Sequence, residues 1–224
     1  MNRFNLSMAA CALAFVIATP TYAADMPGGY RPAYVTPAAG WSGVYAGING
    51  AYGWGQTDWS GGVTTGSNSP AGGLFGATLG FNAQSGAFVF GAEGDIDGNW
   101  MRDSNSSGTG FCSAPGCAIQ TSWFATARGR VGYAFDRALV YFTAGAAFGD
   151  VQMTAPGGSA TADKAGWTAG AGLEYAFLGP WSAKFEYLYA DLGSATCGAA
   201  VCGTDTAVTF KTNIIRLGVN YRFW

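Results

Sequence analysis

From Trp41 onward, apolar side chains recur at every second position, and this alternation limits the available folds more than any motif does. A period of two belongs to the β-strand, whose successive residues point to opposite faces. In residues 88–100, Phe88, Phe90, Ala92, Gly94, Ile96 and Trp100 share one face, and Val89, Gly91, Glu93, Asp95, Asp97 and Asn99 share the other. Three carboxylates therefore stand opposite an apolar face. Similar runs occupy residues 44–54, 73–82, 122–135, 140–148, 167–177, 183–189 and 214–223. Eight strands result, of about the length that crosses a bilayer at a tilt.

The composition decides which face looks outward. A soluble barrel or sandwich turns its apolar face inward and needs a charged face for water. Only 11% of this chain is charged, against roughly 25% in soluble domains. The face opposite the apolar one consists mainly of Gly, Thr, Asn and Ala, which suit the crowded interior of a small barrel. Aromatic residues stand at both ends of the apolar face, as the two water interfaces of a bilayer require. After the first segment no uninterrupted apolar stretch is long enough for a membrane helix, and a closed barrel is the other way to satisfy every backbone group in lipid. The expected connections alternate between tight (84–86, 136–138, 178–180) and long (55–70, 101–120, 150–165, 193–206). The expected fold is all-β: an eight-stranded antiparallel transmembrane β-barrel with short periplasmic turns and long extracellular loops.

Ahead of the barrel, residues 1–23 have the layout of a signal peptide. A basic start at Arg3 leads into an apolar run from Leu6 to Ala18, then a small-residue ending at Ala23. Cys11 lies inside that run and is a passenger. Residues 24–40 carry three prolines and three glycines and form an extended arm, either a plain terminus or a contact for peptidoglycan or another partner. Residues 41–224 form the barrel.

The inward parity collects Glu93, Asp95, Asp97, Arg128, Arg130, Glu174, Lys184, Glu186, Arg216 and Arg222. Charges confined in a narrow interior must pair. Glu174 is expected near Lys184 or Glu186, and Glu93 level with Arg128. Two roles follow: an ion-pair plug that stiffens the barrel, or a narrow path for small solutes or ions. Cys112 with Cys117 and Cys197 with Cys202 form close pairs, and two local disulfides are expected from the oxidising compartment. Neither spacing suits a four-thiolate zinc site, so no metal is expected.

The chain has no histidine, the commonest general base and metal ligand. No catalytic residue and no cofactor is expected. A formal charge of −2 supplies no field for nucleic acid. The Gly, Ser and Thr runs between strands form a wet surface for host, phage or haem-like ligands, without naming one.

Several segments resemble the small outer-membrane β-barrel family of alpha-proteobacteria, porin-like proteins of RopB or OmpA type. They are WSGVYAGINGAYGWG (41–55), GAEGDIDG (91–98), ARGRVGYAF (127–135), AKFEYLYADLG (183–193) and IIRLGVNYRF (214–223). The resemblance implies an outer-membrane barrel that meets lipid and lipopolysaccharide and is inserted by the barrel-assembly machinery. It also implies a terminal insertion signal, with Tyr221 and Phe223 at the right parity and Trp224 one residue beyond.

Overall fold

The computed structural model describes residues 40–61, 64–103, 118–155, 158–197 and 206–223. The expected signal segment, the arm as far as residue 39, Cys112, Cys117, Cys202 and Trp224 lie outside these residues, and of Cys197 only the backbone is described.

Among the described residues the strands are β1 (Gly43–Gly61), β2 (Thr64–Asn68), β3 (Ala71–Ser85), β4 (Phe88–Asn99), β5 (Arg102–Asp103) and β6 (Ala118–Gln120). They continue as β7 (Trp123–Phe135), β8 (Ala138–Ala155), β9 (Gly158–Leu178), β10 (Trp181–Cys197) and β11 (Thr206–Arg222). The eight long ones pair antiparallel in the order β1, β3, β4, β7, β8, β9, β10, β11, and β11 returns to β1 through Tyr45↔Arg222 to Ser60↔Ala207. Closure leaves no free sheet edge in the membrane.

Three tight turns join β3 to β4, β7 to β8 and β9 to β10. Their first residues, Gly86, Asp136 and Gly179, have positive φ, the demand of a two-residue hairpin whose first position is left-handed. Glycine meets it freely, and aspartate is among the few other residues that tolerate it. The first and last strands begin and end on this same side, which in outer-membrane barrels faces the periplasm.

The opposite side departs from the sequence expectation. Two of the four expected long loops, 55–70 and 150–165, are largely strand, and in a third, 193–206, strand reaches in from both ends. β8 and β9 remain paired up to Ala155↔Gly158, β10 and β11 up to Cys197↔Thr206, and β1 carries on to Gly61 with β2 folded back on it. Within 101–120, β5 pairs with β3 at Ala71↔Arg102 and β6 pairs with β8. Backbone ladders need no apolar side chain to continue. Once both faces are wet the alternation fades from the sequence while the hydrogen bonds run on.

The faces are inverted relative to a soluble protein. Leu79, Ile96, Phe142 and Leu217 are 62–67% exposed, whereas Asp97, Glu186 and Arg216 are at 0%. Outward aromatics cluster near the tight turns, where Phe88, Tyr133 and Phe135 stack, as do Trp181, Tyr221 and Phe223. Tyr52 with Trp54 and Trp167 with Tyr189 mark the other interface. Leu217→Lys places an ammonium on the lipid face and is expected to cost about 2–4 kcal/mol if it lies near the midplane. Guanidinium-dependent folding into lipid micelles measures this.

Candidate functional site: a sealed and charged lumen

Inward-facing residues fall into three layers. The first, at the tight-turn mouth, is apolar: Trp41, Val89, Leu139, Tyr141 and Ala176 are all buried and pack together. Trp41 is held there by its backbone N–H, which donates to Gln84 Oε1 at 2.7 Å. The third layer, toward the long hairpins, is also apolar. It gathers Leu74, Met101, Phe124, Leu188, Leu192, Phe210 and Ile214, beside a cavity of about 10 Å³ that Asn99, Thr121, Asp150 and Thr212 also line, room for one water at most.

Between them lies the charged layer, supplied by five strands. β4 brings Glu93, Asp95 and Asp97, β7 Arg128 and Arg130, β9 Glu174, β10 Lys184 and Glu186, and β11 Arg216. Each stands on the inward parity of its strand, and all are buried. Arg128 is the hub, bonding Glu93 and Asp95 at 2.6 Å each and Glu186 at 2.9 Å. Arg216 joins Asp97 at 2.5 Å and Asp95 at 3.0 Å, with Glu186 at 3.8 Å. Lys184 reaches Glu93 at 2.9 Å, and Arg130 bridges Glu174 at 2.7 Å and Glu93 at 3.4 Å.

Glu93 and Arg128 are direct register partners. Glu174 and Lys184 are register partners too, but their charges engage other groups. Glu174 takes Arg130 from β7, past the intervening β8, with Ser182 donating at 2.6 Å and Asn220 at 2.9 Å, while Lys184 crosses the lumen to Glu93. In so narrow a barrel a cross-lumen partner is as near as a cross-strand one, so strand register alone does not select the pair. Arg222 stands outside this layer. It is half-buried at the tight-turn mouth, its guanidinium 5.7 Å from the Trp41 ring centroid.

Neutral residues complete the network. Tyr45 donates to Glu93 at 2.8 Å and Tyr141 to Glu186 at 3.1 Å. The Arg130 guanidinium lies 5.5 Å from the first ring and 4.1 Å from the second, within cation–π range of both. Each ring covers a glycine of the next strand. A side chain at Gly80 would enter the Tyr45 ring, and one at Gly172 would meet Tyr141 Cζ at 2.5 Å. Bare backbone at these two sites is what lets the rings lie flat along the wall. Thr78 and Thr126 donate to the two oxygens of Asp95 at 2.7 and 2.8 Å.

Beyond the aromatic band, Asp150 closes the frayed start of β7. Burial works against its charge, yet the N–H groups of Trp123 and Ser122 donate to it at 3.0 and 2.7 Å and hold it below the ordinary carboxylate range. Tyr221 and Phe223 close the barrel on the lipid side, where the Phe223 N–H donates to Val44 O at 2.9 Å.

A permeating ion would have to cross two dry layers and part a network of charges between them. The comparisons agree with the architecture. Residues 9–223 match the family model for the outer membrane protein beta-barrel domain. The chain belongs to that family. Among its relatives is the 31 kDa outer-membrane immunogenic protein of Brucella melitensis, 34% identical, with 97% of this chain and 99% of the relative covered. The 22 kDa outer membrane protein of Rhizobium leguminosarum is 32% identical, over 86% of this chain and 83% of its own. Among solved structures, OprG of Pseudomonas aeruginosa superposes with a TM-score of 0.50 at 11% identity, covering 81% of this chain and 96% of its own, a likeness of fold alone. This outer-membrane barrel is a protein of the bacterial outer membrane.

Proposed function

We propose that this outer-membrane barrel is a non-conducting structural and display protein. It contributes a rigid wall to the envelope and carries its long hairpins at the cell surface. The three-layer lumen supports this reading, because two apolar plugs around a paired charged belt favour rigidity over passage. The barrel would meet lipid and lipopolysaccharide through its apolar wall. Export by residues 1–23, insertion read from Tyr221, Phe223 and Trp224, and disulfides within the Cys112/Cys117 and Cys197/Cys202 pairs belong to the same reading. The Brucella relative is named as immunogenic, which suits a role in which host molecules or phage meet surface hairpins. No catalytic task is proposed.

The competing reading is a narrow channel. Purified barrel in planar bilayers is expected to give no discrete conductance steps. The double variant Glu93→Gln/Arg128→Ala is expected to stay silent while losing its heat-modified form at a lower temperature. Conductance in the wild type, or its onset in the variant, would make the belt a gate.

A further inference from the structure

The charged layer does not balance. Among the described residues it holds five carboxylates, Glu93, Asp95, Asp97, Glu174 and Glu186, and four cations, Arg128, Arg130, Lys184 and Arg216. Arg222 stands beyond the tight-turn plug, half-exposed, and its charge is shared with water. A surplus negative charge sealed between two apolar layers carries a large desolvation cost, and the usual relief is to take up a proton.

Two acids keep a buried oxygen without a hydrogen-bond donor, Asp97 Oδ1 and Glu186 Oε2, and of the two Asp97 meets fewer cations. Glu93 meets three cations and so does Asp95. Glu186 meets two, and Glu174 has Arg130 with two neutral donors. Asp97 has Arg216 on its Oδ2, and its Oδ1 is buried without a hydrogen-bond partner. Its register neighbour on β7 is Phe124 of the upper apolar layer.

A second oxygen on the same rung is in the same condition. Asn49 on β1, Gly76 on β3 and Asp97 on β4 stand in register, and a side chain at Gly76 would run into Asp97 Oδ1. The Thr78 hydroxyl donates to Asp95, so it can only accept from Asn49, which donates through Nδ2 at 3.2 Å. That turns one Nδ2 hydrogen to Thr78, while Asn49 Oδ1, also buried, has no donor. Two buried acceptors face a shortage of one proton, and a proton on one of them resolves both.

We propose that Asp97 is a proton-binding site of the folded barrel, carrying Oδ1–H toward Asn49 Oδ1 while Oδ2 keeps its bond from Arg216. The four cations then match the four remaining carboxylates. The charged or titratable groups around it are Glu93 and Asp95 on its own strand, Arg128 on β7, Lys184 and Glu186 on β10 and Arg216 on β11. Tyr45 on β1, Tyr141 on β8 and the Glu174–Arg130 pair lie farther toward the tight turns. Asp97 and Glu174 both border apolar layers, through Phe124 and Leu139, but Glu174 has two neutral donors beside its cation. The barrel thereby carries an internal acid whose ionisation would unbalance the plug.

Infrared spectroscopy of the refolded full-length barrel in detergent micelles, in heavy water at neutral pH, tests this. The expected result is a carboxylic-acid carbonyl band equal to one group per chain, resolved from the ionised carboxylates. Asp97→Asn should abolish it and Glu174→Gln should leave it. Asn49→Ala, which keeps every charge, should move the band to the higher frequency of an acid without an acceptor. Absence of the band in the wild type overturns the proposal, as does its survival in Asp97→Asn. An absent band with a melting temperature that depends on whether sodium, potassium or choline is the salt cation would assign the missing charge to a bound alkali ion instead, again against the proposal.

Discussion

Arg216→Met is expected to lower the folding free energy of the barrel by about 3–5 kcal/mol, the usual cost of stripping one partner from a buried ionic network. Methionine fills much of the same volume, so lost packing is a small part of the effect. What remains is Asp97 without a cation and Asp95 and Glu186 with fewer, in a layer closed to water at both ends. Guanidinium titration of folding into lipid micelles, read by the heat-modified electrophoretic shift, measures the loss. A change under about 1 kcal/mol, the range of exposed ion pairs, would show that water reaches the belt. That result would count against the plug as strongly as a conductance trace.

Gly172→Val should be comparably damaging for a different reason. The added Cβ meets Tyr141 Cζ at 2.5 Å and Phe185 O at 2.9 Å, so the ring must leave the wall. Overpacking of this kind usually costs about 1–3 kcal/mol. Here displacement of Tyr141 also removes the hydroxyl from Glu186 and the ring face from Arg130, which takes the expected loss to the upper end of that range or beyond. The variant Gly172→Val/Tyr141→Ala separates the causes. Recovery of part of the stability would locate the damage in the ring contact, and no recovery would place it in the strand backbone.

Much of this molecule is legible from alternation alone. The parity of Phe88 to Trp100 against Val89 to Asn99 separates lipid from lumen, and it places Glu93, Asp95 and Asp97 inside. The parity of 122–135 puts Arg128 and Arg130 opposite them. The same rows held the residues that went unrecognised. Val89, Phe124, Tyr141, Leu188 and Ile214 all stand on the inward parity, and large apolar side chains on a face otherwise made of Gly, Thr and charges were the available sign that the lumen is dry at both ends. Their grouping into two layers depends on relative strand height, which no single strand records. Partner choice was hidden for a related reason: Lys184 meets Glu93 across the lumen, a contact set by the barrel's diameter and not by any sequence spacing.

The outer hairpins mark the opposite limit. Residues 158–166 carry no large apolar side chain at alternate positions, yet they continue β9 without a break. Sequence by itself determined the strand count, the inverted faces and the membrane in which they are stable, since each follows from the two-residue period and the scarcity of charge. Closure of the ring decided the rest: which acid meets which base, that apolar clusters flank the belt, and that Asp97 Oδ1 is left without a donor. These are distances across a cylinder, and they exist only once the eighth strand has paired with the first.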